Sequence, residues 1–375
     1  MNAEKLTEYL DSLSKMGIPG ADCIVMKDHQ VIYRHMVGTS DAAYSVPVNG
    51  KEQYLMFSMT KVQTMTAVMQ LVEQGKLSLQ DEVSKYLPAY KNLTVLKDGE
   101  IKEVEKPLKL WHLVSMQSGL DYNLERPGIV RVLKEKGASA TTGEIVDSFV
   151  ESPLCFEPGE HFLYSLSHDV VARIIEVVSG ISFSEYLKKN IWEPLGMKNT
   201  HFAKPMNDDE PGLCKQFIVN EKGEIVPMEQ SCNYQLSECY ESGGAGLISN
   251  IEDYSLLADC LACGGVGKSG NRLLKPETIE IIKTNLLSDA GRNDIAQLMG
   301  RVGYGYGCGM QVLMEPEKNG STSPAGVFGW DGAAGSCITM ETTSRTSIVF
   351  TMHVRNCGFA YSEIHPTLRD FVFGK

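Results

Sequence analysis

The apolar positions at the start of the chain follow first a helical and then a strand-like spacing. Leu6, Leu10 and Leu13 recur every three to four residues among charged ones, which predicts an amphipathic helix that ends near Gly17. Two runs rich in β-branched and aromatic residues follow, separated by a short polar turn. This second pattern predicts a β-hairpin over residues 22–37.

The end of the chain carries the same two patterns in the opposite order. Apolar runs at 334–341 and 346–354, separated by four polar residues, predict a second hairpin. The apolar residues of 361–373 then return to helical spacing and predict a terminal helix. We therefore expect one α/β domain built from both chain ends, with a helical domain inserted between them.

The middle of the chain is dominated by helical patterns. Apolar residues from position 62 onwards form one stripe of a helix that begins at Phe57-Ser58 and stops at Gly75. Further apolar helices are predicted over residues 166–178 and 251–263. The alternating glycines of 303–309 favour a strand or loop pressed against another backbone over a phosphate-binding loop.

Composition narrows the class of protein. The 375 residues, 43% of them hydrophobic and 22% charged, fit a globular chain of about two domains. With 35 basic and 47 acidic side chains the net charge is −12, and no basic cluster stands out, so we expect no nucleic-acid partner. No run of about 20 apolar residues occurs, which argues against a membrane span.

The cysteines and the first residues bear on the compartment. Ten cysteines are scattered along the chain, and only Cys260 and Cys263 form a CxxC pair, inside a predicted helix. Because no second pair stands at zinc-site spacing, we interpret them as reduced structural thiols and expect no metal. The polar N-terminal helix does not have the pattern of a signal peptide. We expect a cytoplasmic protein, with a signal removed before residue 1 as the alternative.

Several common catalytic motifs do not occur. The sequence holds no GxSxG, HExxH, P-loop or GxGxxG motif, so nothing indicates a nucleotide or another cofactor. What remains is Ser58 with Lys61 one helical turn later, a spacing that brings hydroxyl and amine to the same helix face. The same spacing also occurs in Ser12 and Lys15, so it is weak evidence by itself.

The surrounding sequence gives this motif its meaning. The segment from Phe57 to Pro88 resembles the SxxK helix and following loop of the serine β-lactamase/penicillin-binding protein superfamily, in particular its class C-like branch with the family VIII carboxylesterases. Further similar blocks follow in family order over nearly the whole chain: LWHLVSMQSGL (110–120), FEPGE (156–160), YSL (164–166), PLGMKNT (194–200), GGAGLIS (243–249) and GWDGAAG (329–335).

The resemblance implies a role for each matching residue. Ser58 corresponds to the acylated nucleophile, Lys61 to its partner, and Tyr164 to the tyrosine that opens the family's Y-[AS]-N motif. It also implies an oxyanion hole made by the backbone N–H groups of Ser58 and Ala333. Chemically, an ammonium beside Tyr164 favours the phenolate, so we expect Tyr164 and Lys61 together to take the Ser58 proton.

Two departures from the family pattern concern the substrate. Leu166 replaces the asparagine of the tyrosine motif and has no hydrogen-bonding group. Trp330, which with Gly332 is expected to line the substrate site, replaces the lysine of the K-T-G motif. Both changes make the expected pocket more apolar and less suited to anionic amides. They predict an ester substrate with a modest apolar acyl group.

The sequence thus predicts an α+β protein of the β-lactamase/transpeptidase type, with an antiparallel sheet flanked by helices. Its sheet domain is expected to comprise 1–57 and 232–375, and its mainly helical domain 58–231. The predicted function is a serine hydrolase acting through an acyl-enzyme on small carboxylic esters, with acyl transfer open and little or no β-lactamase activity. The expected binding partner is a small-molecule ester or amide substrate. The alternatives are a D-amino-acid peptidase or β-lactamase of the same fold, and a catalytically silent assembly protein. The oligomeric state stays open.

Overall fold

The computed structural model describes residues 1–204, 211–231 and 233–374. Its strands are β1 (Gly20–Lys27), β2 (Gln30–Gly38), β3 (Tyr54–Leu55), β4 (Thr94–Lys97), β5 (Glu100–Glu103), β6 (His201–Phe202), β7 (Phe217–Val219), β8 (Ile225–Pro227), β9 (Leu247–Ser249), β10 (Tyr304–Tyr306), β11 (Gln311–Leu313), β12 (Phe328–Asp331), β13 (Cys337–Glu341), β14 (Thr346–Met352) and β15 (Val354–Arg355).

The helices lie mostly between residues 60 and 300. They are α1 (Ala3–Ser12), α2 (Thr60–Glu73), α3 (Leu110–Val114), α4 (Pro127–Lys136), α5 (Thr142–Asp147), α6 (Ser167–Ser179), α7 (Phe183–Leu187), α8 (Glu193–Leu195), α9 (Ile251–Ala262), α10 (Pro276–Ile282), α11 (Asp289–Met299) and α12 (His365–Phe373).

A seven-stranded antiparallel sheet joins the two ends of the chain. Its strand order is β10-β11-β12-β13-β14-β1-β2, so β1 pairs with β2 on one side and with β14 on the other. The register sets Cys23 opposite both Phe350 and His35. Both predicted hairpins are confirmed, although the second begins at Cys337 because residues 334–336 belong to the preceding turn.

Strand β1 is buried on both faces, which explains its nearly continuous apolar sequence. Cys23 and Val25 belong to the core between the sheet and the terminal helices α1 and α12. Ile24 and Met26 alternate with them and belong to the larger core that includes α9 and α2. The sheet is therefore covered by helices on both sides, the arrangement in which strands read as apolar runs.

Helix α2 runs through the interior and is buried along nearly its whole length. A single 3-10 turn, Phe57–Met59, leads into it, and Phe57 has a φ of +47°. A bulky residue in this left-handed region stores backbone strain, which surrounding packing must hold in place. The predicted helix start at Phe57-Ser58 is confirmed, with Ser58 in the middle of the 3-10 turn that leads into α2.

The predicted division into 1–57 plus 232–375 and 58–231 stays a prediction, and its boundary residue 232 lies outside the described residues. The short hairpin of β7 and β8 falls on the helical side of that division, yet β7 pairs in parallel with β15 of the C-terminal part. Within the described chain, no helix combines the length and the apolar character that crossing a bilayer requires.

Candidate active site

Ser58 and Lys61 lie together at the start of the buried helix. The Lys61 Nζ donates to the Ser58 Oγ at 3.3 Å and to the backbone oxygen of Gly244 at 2.8 Å. Ser58 is 8% exposed and borders a cavity, whereas Lys61 is completely buried behind it. The geometry expected from the i, i+3 spacing is present, and the lysine is shielded from solvent.

Burial changes the acid–base behaviour of Lys61. Loss of hydration disfavours the ammonium and lowers the pKa of Lys61 to about 7, against the opposing charges of Asp169 and Asp331. A substantial fraction of this amine is therefore neutral near pH 7. A neutral amine in hydrogen-bonding distance of the Ser58 hydroxyl can accept its proton.

Tyr164 borders the same cavity as Ser58. Its hydroxyl accepts a hydrogen bond from Trp330 Nε1 at 3.1 Å, and its ring lies 4.6 Å from Lys61 Nζ. Burial raises the pKa of Tyr164 above its ordinary value, and hydrogen bonds with Ser58 and Trp330 only oppose this rise. The expectation that a neighbouring ammonium favours the phenolate is wrong here, because desolvation outweighs it and lowers the charge of Lys61 as well.

A row of aromatic rings packs against Tyr164 and Trp330. Tyr122 stacks on Tyr164 with ring centres 5.7 Å apart, and Trp330 stacks on its other side at 5.6 Å. Tyr306 meets the Trp330 ring edge-on at 5.1 Å. Aromatic pairs of this kind contribute about 0.5–1.5 kcal/mol each beyond burial, so the tyrosine is held in one orientation.

The turn after β12 brings the C-terminal part of the chain to the nucleophile. A side chain at Gly332 would place its Cβ 2.5 Å from the backbone oxygen of Met56, so only glycine permits this approach. The Gly332 carbonyl accepts a hydrogen bond from Tyr361 at 2.9 Å. Ala333, the next residue, borders the same cavity as Ser58.

The cavity has a volume of about 420 Å³ and is shared by both parts of the chain. The described residues that line it are Ser58, Tyr164, Leu298, Met299, Gly300, Arg301, Trp330, Asp331, Ala333, Gly358, Tyr361 and Ser362. Among the predicted substrate residues, Trp330 lies in this wall, whereas Gly332 packs against the nucleophile turn. Leu166 is 3% exposed, packs in the main core and is not part of the cavity wall.

Residues that sequence reasoning missed add charge to the site. Arg301 forms an ion pair with Asp331, and both side chains are nearly buried in the cavity wall. Asp169, in the first turn of α6, accepts hydrogen bonds from Tyr240 at 2.7 Å and Ser242 at 2.6 Å. Asp331 was visible as the middle of the WDG block, but nothing in the local pattern pointed to Arg301.

One group of possible metal ligands lies elsewhere. Among the described residues, His29, Asp259 and Cys263 alone bring donor atoms of such a group within 4.8 Å of one another. The His29 Nδ1 lies 2.7 Å from Asp259, and an Arg345 nitrogen lies 3.5 Å from the His29 Nε2. The Cys263 sulfur donates to Asp259 at 3.7 Å, and Arg345 forms its ion pair with Asp28. The three possible ligands therefore already have hydrogen-bond partners within the chain. These contacts anchor the β1–β2 turn to α9 through Asp259.

Comparison with known proteins identifies the family. The family model for beta-lactamase matches residues 4–357, nearly the whole chain. The chain belongs to the beta-lactamase family. It is similar to esterase EstB of Burkholderia gladioli, with 25% identity over 406 residues that cover 100% of this chain and 97% of the relative. Its membership of this family and its similarity to an esterase over the full chain identify the protein as a serine hydrolase.

Solved structures confirm the predicted fold. EstCE1, described as a hydrolase with promiscuous acyltransferase activity, superposes with a TM-score of 0.81 at 24% identity, covering 100% of this chain and 99% of that chain. An octameric penicillin-binding protein homologue from Pyrococcus abyssi gives 0.71 at 23% identity, covering 98% and 77%. The protein therefore has the β-lactamase/transpeptidase-like fold, with mixed helices and an antiparallel sheet.

Proposed function

We propose that this serine hydrolase is a carboxylesterase that forms an acyl-enzyme on Ser58 and acts on small esters with a modest apolar acyl group. The observation that carries the proposal is the contact of the Ser58 hydroxyl with a fully buried Lys61 whose pKa is lowered to about 7. This pairing supplies an activated nucleophile without any other group. The esterase EstB, similar over the full chain, supports the same chemistry.

The first half of the reaction acylates the enzyme. Neutral Lys61 takes the proton from the Ser58 Oγ while this oxygen attacks the ester carbonyl, which becomes a tetrahedral oxyanion. The backbone N–H groups of Ser58 and Ala333 are the proposed donors to that oxyanion. Tyr164 stays a neutral phenol and passes a proton from the Lys61 side to the departing alcohol. The C–O bond to the alcohol breaks, and the acyl group stays on Ser58.

The second half releases the acid. A water molecule enters the cavity and gives a proton to the Lys61–Tyr164 pair as its oxygen attacks the acyl carbonyl. The bond from the carbonyl carbon to the Ser58 Oγ then breaks, and the proton returns to that oxygen. Ester and water give acid and alcohol, and the enzyme is restored. An alcohol in place of water would give acyl transfer by the same steps.

The cavity wall supports an apolar substrate. Leu298, Met299, Trp330 and Tyr361 supply apolar surface, and the charge of Arg301 is matched by Asp331. Such a wall favours burial of an alkyl chain by roughly 0.8 kcal/mol for each methylene. The single N–H donor of the Trp330 side chain already bonds to the Tyr164 hydroxyl. Trp330 therefore supplies neither a free donor nor the positive charge of the lysine in the K-T-G motif.

A substrate panel tests the proposal. Purified protein should cleave p-nitrophenyl butyrate much faster than nitrocefin or a D-Ala-D-Ala peptide, and Ser58→Ala should abolish the activity. Faster turnover of nitrocefin or of the peptide would instead support a β-lactamase or a D-peptidase. A fluorophosphonate that labels wild type and Ser58→Ala equally, with no turnover of any compound, would support a silent assembly protein.

A further inference from the structure

Near Lys61 lies a buried carboxylate, that of Asp169, which the reaction scheme does not yet use. Asp169 has no exposed surface, and its Oδ1 accepts hydrogen bonds from Tyr240 and Ser242. Its Oδ2 is also buried and has no hydrogen-bond partner among the described residues. An unpaired buried carboxylate oxygen is costly, so its place calls for an explanation.

The position of Gly244 shows where this oxygen points. A Cβ built on Gly244 would lie 2.8 Å from Asp169 Oδ2, 3.3 Å from Lys61 Nζ and 3.5 Å from the Tyr122 hydroxyl. These three atoms therefore surround the space that the missing side chain leaves open. The Gly244 carbonyl also accepts the Lys61 N–H at 2.8 Å. A larger residue at 244 would therefore contact both the carboxylate and the amine, closer than ordinary van der Waals distance.

From this geometry we propose that Asp169 is a positioning residue for Lys61: it holds the lysine amine against Ser58 and stabilises the ammonium that forms when the serine proton is transferred. The inference rests on the proposed function, since it assigns Lys61 as the base. The two hydrogen bonds to Oδ1 fix the carboxylate, and its place in the first turn of α6 favours a negative charge. The free Oδ2 is thus directed at the amine side of the site.

Other charges around the lysine are part of the same balance. The charges of Asp169 and Asp331 raise the pKa of Lys61 against the larger effect of burial. Three other ionisable groups of the described residues interact with this amine: the hydroxyls of Tyr122 and Tyr164 and the imidazole of His168. Burial keeps both phenols and the imidazole uncharged near pH 7. The two aspartates are therefore the charges that oppose desolvation.

The decisive variant is Asp169→Asn, which keeps the shape and can still accept from Tyr240 and Ser242. The measurement is the rate of Ser58 labelling by a fluorophosphonate between pH 4 and 9. Without the negative charge, the pH at which labelling reaches half its maximum should fall by about one to two units. The plateau rate should fall roughly ten- to hundredfold because the new ammonium loses its partner.

A matched control separates this effect from a general loss of structure. Asp253 is a buried aspartate that accepts from Asn199 and Thr200 outside the site, so Asp253→Asn should leave the midpoint unchanged. A folded Asp169→Asn protein with the wild-type midpoint overturns the inference. If that variant does not fold, Gly244→Ala decides. Its Cβ would crowd both Asp169 Oδ2 and Lys61 Nζ, so we expect it to weaken their interaction. An unmoved midpoint overturns the inference and a lowered one supports it.

The readout also keeps this inference distinct from the proposed function. Fluorophosphonate labelling requires an activated serine but no particular substrate. A protein that cleaves no ester in the panel, yet shows the lowered midpoint in Asp169→Asn, refutes the esterase proposal and supports the role of Asp169. A protein that cleaves the esters, but whose labelling midpoint is the same in Asp169→Asn as in wild type, supports the esterase proposal and refutes the role of Asp169.

Discussion

The chain contains two S-x-x-K sequences, and only one is built into a site. Ser12 and Lys15 lie at the end of α1 and in the turn after it, where the lysine is exposed and the serine hydroxyl donates to the Tyr9 carbonyl at 2.6 Å. Ser58 and Lys61 have the same spacing, but Lys61 is completely buried and its amine contacts the serine. An identical local pattern thus has two different chemical environments.

The difference lies in what surrounds the lysine. Lys15 is exposed to solvent and keeps its hydration. In the interior, lost hydration lowers the pKa of Lys61 to about 7. Spacing brings two groups together, but distant parts of the chain supply the burial that makes one of them a base.

Removing the serine of each S-x-x-K sequence in turn should give the largest difference between the two. Ser58→Ala should lower ester hydrolysis by at least roughly a thousandfold because no acyl-enzyme can form. Ser12→Ala should leave the rate unchanged. Steady-state hydrolysis of p-nitrophenyl butyrate measures both, and a large loss in the Ser12 variant would contradict the assignment.

Removal of each lysine should have the next largest effect. Lys61→Met keeps the apolar length but removes the amine, and we expect a loss of roughly a hundred- to ten-thousandfold in kcat/KM, typical of a missing general base. Lys15→Met should retain wild-type kcat/KM. Equal rates for the two variants would show that burial of Lys61 serves packing and not catalysis.

The pH dependence tests the state of the buried amine directly. Since only neutral Lys61 accepts a proton and its pKa is about 7, kcat/KM should fall about tenfold per pH unit below that value and level off above it. A rate profile between pH 5 and 9 measures this limb. A limb near pH 10, where an exposed lysine titrates, would refute the neutral base.

The smallest effect concerns the support of Tyr164. Trp330→Phe keeps an aromatic ring but removes the N–H that donates to the Tyr164 hydroxyl. One neutral hydrogen bond contributes about 0.5–1.5 kcal/mol, so kcat/KM should fall roughly two- to tenfold. Phe328→Leu, a change in the same strand outside the cavity wall, is the control for altered packing.

Much of the fold followed from local patterns because each predicted element has a clear period. The hairpin over 22–37, the helix after Ser58 and the terminal helix all occur where spacing indicated. Tertiary contacts decided what the pattern could not, such as the turn over residues 334–336 and the pairing of β7 with β15.

The site was only partly predictable for a physical reason. The ordered sequence blocks marked Ser58, Lys61 and Tyr164, and the structure brings these three together. Their ionisation depends on burial, which no short motif encodes, so the lowered pKa of Lys61 and the raised pKa of Tyr164 did not follow from the sequence. Their catalytic roles stay predictions. Leu166 illustrates the converse, because a residue inside a catalytic motif belongs here to the hydrophobic core.

The position of β1 has a consequence for biosynthesis. Its neighbour β14 is made more than three hundred residues after β1. At about 5–20 residues per second the nascent chain waits on the order of tens of seconds with the β14 edge of β1 unpaired. The turn that carries Ala333 arrives in the same late stretch. We therefore expect shortened nascent chains to depend on chaperones and to acquire reactivity at Ser58 only after the last strands are complete.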